Sequence, residues 1–142
     1  MDRRRGPRDP SCVFCGIVEG RIPSTKVRED ATTLAFMNIA PATEGHLLVI
    51  PKRHSRNVFD VSDEDIRDVA AATRAVSRLL RERLGCAGVS VIQSNEPAAW
   101  QTVFHYHAHV VPRYPGDPLV VPFRGDTRDA AELERVAAKL RG

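Results

Sequence analysis

The sequence predicts an α+β fold: a mainly antiparallel five-stranded sheet with one long helix, a short N-terminal helix and a C-terminal helix. Three observations carry this. Five short apolar runs are bounded by turn residues, one long segment repeats its apolar positions with helical period, and the helices collect between hairpin-like runs instead of alternating with strands. A chain of 142 residues, 42% apolar and 27% charged, has the size and composition of one globular domain.

Residues 1–10 hold two prolines, a glycine and six charges without apolar periodicity, and read as a mobile tail ahead of a single domain over residues 11–142. Cys12 to Val18 reads as a short turn or helix ended by Gly20. Thr25 to Arg28 and Thr32 to Ile39 read as a hairpin around Glu29-Asp30. Gly45 to Pro51 is a strand apolar on both faces, halted by its proline. The long helix starts at Ser62, an N-cap with Asp65 three residues on, above the acidic turn Asp63-Glu64-Asp65. Its stripe is Ile66, Val69, Ala70, Thr73, Val76, Leu80 and Leu84, and Gly85 stops it. Val89 to Ser94 and Phe104 to Val111 read as the last two strands. Ala130 to Leu140 reads as a closing helix with Leu133, Val136, Ala137 and Leu140 on one side.

Charge and composition narrow the function. The net charge is +3, but Arg3, Arg4, Arg5 and Arg8 against Asp2 and Asp9 account for two of it. The body is nearly neutral, which argues against an extended nucleic-acid surface and leaves room for a local phosphate site. The apolar runs are far shorter than the roughly 20 residues of a membrane span. The charged start lacks an apolar region behind it, so no secretory signal is expected and the reading is cytoplasmic. Three cysteines fit no disulfide framework; Cys86 reads as a small buried hydrophobe. No P-loop or dinucleotide fingerprint occurs.

The histidines carry the chemistry. His105, His107 and His109 alternate, which on an extended strand sets three imidazoles on one face and Tyr106, Ala108 and Val110 on the other. A packing role would favour aliphatic residues there, so the row either binds a metal or contains a nucleophile whose neighbours manage charge and protons. Cys12 and Cys15, two residues between them, suit a tetrahedral Zn²⁺ completed by two distant histidines; a redox pair or plain burial are the other readings.

The run Phe104-His105-Tyr106-His107-Ala108-His109-Val110-Val111-Pro112-Arg113 resembles the signature of the histidine triad (HIT) family. Leu34 to Ile39 with Pro41, and Gly45-His46-Leu47-Leu48-Val49-Ile50-Pro51-Lys52 with His54, resemble the same family upstream. The likeness spans roughly Cys12 to Asp117. It implies a HIT-like fold, a homodimer, and a nucleotide-binding hydrolase or nucleotidyl transferase acting at the α-phosphate of an adenosine or guanosine phosphoramidate or a dinucleoside polyphosphate. His107 is then the nucleophile, a neutral imidazole that forms a nucleotidyl-histidine. His109 contacts the phosphate or leaving group, and His46 supports it.

By the same resemblance Cys12, Cys15, His54 and His105 hold a structural zinc. Val13, Phe14, Ile17, Ile39 and Leu48 wall the nucleoside pocket, and Asn95, Gln101 and Thr102 reach the phosphate or leaving group. Asn38 stands where the family usually has an aspartate accepting the ribose hydroxyls, so its amide keeps the hydrogen bond without the charge. Trp100 stands where relatives often carry glycine, and leaving-group preference therefore does not carry over. Two rival functions are a zinc-dependent hydrolase with the histidine row as its metal site, and a non-catalytic nucleotide-sensing scaffold.

Overall fold

A computed structural model of the protein describes residues 8–120, 123 and 125–142; of the expected tail, residues 1–7 lie outside the described residues. The elements in order are α1 (Val13–Val18), β1 (Lys26–Glu29), β2 (Thr33–Met37), β3 (Leu47–Pro51), α2 (Asp63–Leu84), β4 (Gly88–Ile92), β5 (Ala108–Arg113) and α3 (Ala130–Arg141). All strand pairs are antiparallel, and the sheet runs β1-β2-β3-β5-β4. No helix among the described residues is long and apolar enough to cross a membrane.

Two-residue alternation divides the core between the faces of this sheet. Ala35 of β2, Leu47 and Val49 of β3, and Ala108 and Val110 of β5 pack with Val69, Ala72, Val76 and Leu80 of α2. Leu34, Phe36, Leu48 and Ile50 turn the other way and pack with Phe14 and Ile17 of α1. Each buried Val, Leu, Ile or Phe among them contributes about 1.5–3 kcal/mol of transfer free energy, and the alanines less, so both faces add to the stability of the sheet. His107 and His109 lie out of phase with Ala108 and Val110, which sends them to the α1 face.

Local signals act as expected at several points. Asp30 Oδ1 accepts the Thr32 and Thr33 backbone N–H groups at 2.9 and 2.7 Å, closing the first hairpin. Ser62 Oγ caps α2 by accepting the Asp65 N–H at 3.1 Å, and Gly85 ends the helix in the left-handed conformation. Gly45 has φ +97, and an added Cβ would lie 2.7 Å from Leu84 Cδ1. Only glycine lets the chain enter β3 this close to α2.

Other expectations require correction. Ala70 and Leu84 are exposed, and Ala72 takes the buried place, because α2 rests on the sheet along a narrower arc than its apolar stripe. The last central strand starts at Ala108, not Phe104: the Tyr106 N–H goes to Ser55 O at 2.9 Å instead of into the ladder. It continues through Pro112 because the β3 ladder ends at Val110, so the missing proline N–H breaks no pairing with β3, and Thr43 Oγ1 donates to Pro112 O at 2.7 Å. The fold also begins before Ser11, since Asp9 accepts the Cys12 N–H and donates its own to Cys15 Sγ. In α3, Leu133, Val136 and Leu140 remain 59%, 46% and 82% exposed.

Candidate active site and metal cluster

The site forms where β3 and β5 pair on the α1 face. Leu48 is the register partner of His109, so His46, two residues earlier in the chain, is its diagonal neighbour. The two rings meet at 3.0 Å between His46 Nε2 and His109 Nδ1. His107 stands edge-on to His109 with centroids 5.1 Å apart and edge-on to Phe14 at 5.2 Å.

Hydrogen bonds assign a proton to each ring. His107 Nδ1 lies 2.6 Å from the His105 carbonyl oxygen, which can only accept, so Nδ1 carries the proton and Nε2 keeps its lone pair. His46 Nδ1 accepts the Ala42 N–H at 3.0 Å, which puts the His46 proton on Nε2. That proton is donated to His109 Nδ1, and the His109 proton therefore sits on its Nε2. Asn38 Oδ1 accepts the Ala40 N–H at 2.8 Å, turning its amide nitrogen toward His46 Nε2 at 3.4 Å. Donor faces donor there, so Asn38 adds no hydrogen bond to the relay.

Burial keeps these rings uncharged. It lowers the pKa of His107 and of His46 below the ordinary histidine value, the His105 carbonyl partly offsetting it for His107. His109 is lowered to about 4, first by burial and then by His107 and His46 beside it. At neutral pH the free protein thus presents a bare His107 Nε2 and an N–H donor on His109.

A cavity of about 330 Å³ opens onto His107 and His109. Seven of the sequence-predicted nucleotide contacts line it: Val13, Phe14, Ile17, Asn38, Ile39, Leu48 and Thr102. Asn95 and Gln101 do not. Gln101 is 4% exposed, and its amide bonds Asn57, the Glu96 N–H and the carbonyls of Arg56 and Val103. Asn95 is tied to Gln93 and to the Val58 N–H. Both shape the loop that carries Thr102 and Trp100, which Glu96 locks further by pairing with Arg56 and Asn57.

The sequence reading missed Phe36 and Ile22, which also line the cavity. Phe36 was accessible to it, since alternation from Leu34 puts it on the α1 face opposite Leu48. Ile22 sits in an aperiodic loop and gave no such signal.

Beyond His107 lies a second cluster. Cys12, Cys15, His54 and His105 offer four ligand atoms within 4.8 Å of one another. Cys15 Sγ is 3.3 Å from His54 Nδ1 and 3.6 Å from His105 Nδ1, and Cys12 Sγ is 3.5 Å from His105 Nδ1. A tetrahedron with metal–sulfur bonds of about 2.3 Å and metal–nitrogen bonds of about 2.0 Å has edges of about 3.3–3.8 Å, so the set fits a tetrahedral ion such as Zn²⁺. His105 Nε2 donates to Pro51 O at 2.7 Å, which frees Nδ1 for a metal. Burial, with the neighbouring Cys12, pushes the Cys15 thiol up to about 11, a cost that a bound cation removes. No other group of His, Cys, Asp or Glu among the described residues converges in this way, so the histidine row is divided between two sites.

Trp100 and Arg113 complete the surroundings. Trp100 adopts φ 71 and ψ 21, a left-handed conformation costing about 1–3 kcal/mol for a bulky residue. Arg113 pairs with Asp117 through two contacts of 2.8 Å.

Comparison with known proteins agrees with this geometry. The chain is 41% identical over 103 residues to the adenosine 5'-monophosphoramidase hnt1 of Schizosaccharomyces pombe, covering 72% of this chain and 74% of that protein. The crystal structure of SMU.412c from Streptococcus mutans UA159 superposes with a TM-score of 0.91 at 39% identity, over 96% of this chain and 87% of that one. A Zn-bound histidine triad family protein from Mycobacterium smegmatis is 41% identical with a TM-score of 0.75, over 92% of this chain and 96% of that one. The HIT domain model matches residues 19–116, a stretch that takes in all three triad histidines, and the chain belongs to the HIT family.

Proposed function

We propose that the protein is a nucleotide-binding hydrolase or nucleotidyl transferase that cleaves at the α-phosphate of a nucleoside phosphoramidate or a dinucleoside polyphosphate. The observation that carries this reading is the bare Nε2 of His107, fixed by the His105 carbonyl in the wall of a nucleoside-sized cavity. The nucleoside lies among Val13, Phe14, Ile17, Ile39 and Leu48, with Asn38 and Thr102 as the polar contacts. His107 Nε2 attacks phosphorus and the bond to the leaving group breaks. The nucleotidylated ring becomes cationic, and its Nδ1–H strengthens the bond to the His105 carbonyl. His109, backed by His46, donates from Nε2 to a phosphate oxygen or the departing atom. Water then attacks phosphorus and returns His107 to its neutral form.

We assign Cys12, Cys15, His54 and His105 to a structural zinc. Zn²⁺ there supplies charge and rigidity, its four protein ligands leaving no position for substrate. The chain's own part is to hold His105, whose carbonyl orients the nucleophile. The adenosine monophosphoramidase and the zinc-bound relative support these two assignments. We also take the protein to be a cytoplasmic homodimer. Three free cysteines suit a reducing compartment, and the β4 edge, which pairs with no further strand among the described residues, supports self-association together with the exposed stripe of α3.

Acid-quenched incubation with adenosine phosphoramidate, followed by peptide mass spectrometry, tests the reading. An adenylyl group on His107 that is absent in His107→Ala is expected. Nucleotide binding without turnover, unaffected by that substitution, identifies a scaffold instead. Turnover lost on metal removal from folded protein, with no adduct on His107, identifies a metallohydrolase.

A further inference from the structure

Cys12 and Cys15 belong to one cluster but meet their surroundings differently. Cys15 is fully buried, whereas Cys12 is half-buried and lines a cavity of about 370 Å³ together with Asp9, Ser11, Arg56, Thr102 and Phe104. This cavity is distinct from the nucleoside cavity, although Val13, Thr102 and Val103 line both. The two sulfurs lie within 4.8 Å of one another, and the Cys15 N–H donates to Cys12 Sγ at 3.3 Å. They are close enough for side-chain rotation to bring them to the roughly 2.05 Å of a disulfide.

A change at this pair reaches His107 by two routes. His105 Nδ1 faces both sulfurs, 3.5 Å from Cys12 and 3.6 Å from Cys15, while its Nε2 is held by Pro51 O at 2.7 Å. The main chain of the same residue supplies the carbonyl that fixes His107 Nδ1 at 2.6 Å. The second route is α1. It follows Cys12 directly and carries Phe14, which stands edge-on to His107 at 5.2 Å and to His105 at 6.0 Å. Joining the sulfurs takes away two of the groups that face His105 and shifts the start of the helix that walls the nucleophile.

We propose that Cys12 and Cys15 are a peroxide-reactive thiol pair whose disulfide opens the metal cluster and switches off His107. The assignment rests on the nucleotidyl-histidine and zinc readings given above. Exposure orders the steps, since a small hydroperoxide reaches Cys12 from its cavity and does not reach Cys15. The Cys12 thiolate attacks the terminal peroxide oxygen, the O–O bond breaks, and the departing oxygen takes a proton from solvent. Cys12 is then a sulfenic acid. The Cys15 thiolate attacks the Cys12 sulfur, the S–S bond forms, the S–O bond breaks, and the hydroxide released takes a second proton. Two thiolates thus give up two electrons, and hydrogen peroxide with two protons becomes two waters.

The test uses the reduced, zinc-loaded protein with hydrogen peroxide as the probe. Zinc release, read with a pyridylazo dye, is expected to keep pace with a Cys12–Cys15 disulfide found by peptide mass spectrometry. Dimedone present during the reaction should label Cys12 and neither Cys15 nor Cys86, which lies in the core on the other face of the sheet. On oxidation kcat/KM for adenosine phosphoramidate is expected to fall at least about tenfold, and dithiothreitol with zinc to restore it. Zinc retained with both thiols intact, dimedone on Cys15 first, or a disulfide with unchanged turnover overturns the proposal. A loss of turnover that dithiothreitol and zinc do not reverse also overturns it, since the damage then lies elsewhere. If the reduced protein cleaves no phosphoramidate, the functional reading fails by itself, and zinc release with the mapped disulfide still decides whether the pair is an oxidation site. If the reduced protein holds no zinc, the zinc reading fails, and the disulfide with the turnover decides the rest.

Discussion

His105 and His107 are two residues apart, both almost fully buried, and each gives a proton to a backbone carbonyl, yet they present opposite nitrogens. His105 donates from Nε2 to Pro51 O and turns Nδ1 to the two cysteines. His107 donates from Nδ1 to the carbonyl of His105 and turns Nε2 to the cavity. A carbonyl can only accept, so whichever ring nitrogen it faces is protonated and the other is left as a base or ligand. The difference teaches that the partner of a ring, more than its place in a motif, decides its chemistry. It also couples the two sites, since the carbonyl that orients His107 belongs to a candidate metal ligand.

The sharpest break in this comparison comes from His107→Ala. On the proposed mechanism this substitution is expected to lower kcat by about 10³-fold or more while leaving the metal content at the native level, as measured by turnover and by metal analysis. Cys15→Ser should do the reverse. It removes the ligand that touches both cluster histidines, so zinc content falls and the melting temperature drops, with activity following the loss of fold.

A third prediction concerns pH. The folded-state pKa of His109 is about 4, below the ordinary value of 6.5. Between those values the unfolded chain binds more protons than the folded one, so this contribution to stability is complete above pH 6.5 and is lost as pH falls toward 4. Urea denaturation at pH 7, 5.5 and 4.5 should show that decline, and His109→Gln should show less of it. The smallest effect is expected from Asn38→Asp. A carboxylate beside His46 would favour the charged ring and supply the proposed nucleoside site with a charged acceptor, lowering the KM of nucleotide substrates several-fold.

Much of the framework was legible in the sequence because it depends on local rules. Ser62 and Gly85 marked the ends of α2, and Leu47 to Ile50 marked a strand buried on both faces. Cys12, Cys15, His54 and His105 were named as one ligand set through family resemblance, and the fold brings them together. What escaped depended on distant partners. The start of β5 shifted because Tyr106 bonds Ser55, which lies far back in the chain. Asn95 and Gln101 are expected from the resemblance at the phosphate or leaving group, but hydrogen bonds within and around their own loop take up their amides, and spacing does not report that. The stripe of α3 lies on a helix, and Leu133, Val136 and Leu140 on it stay exposed among the described residues.

By itself the sequence determined the alternation that sends His107 and His109 to one face of the sheet, the glycine that admits β3 beside α2, and the stock of thiols and imidazoles. Only the tertiary structure decided which nitrogen of each ring is free and that His105 leaves the row to join the cysteines. The physical reason is that a side chain's direction follows from neighbouring residues, whereas its proton follows from whatever carbonyl or amide the fold brings within hydrogen-bond distance. For His105 that carbonyl belongs to Pro51, 54 residues away in the chain.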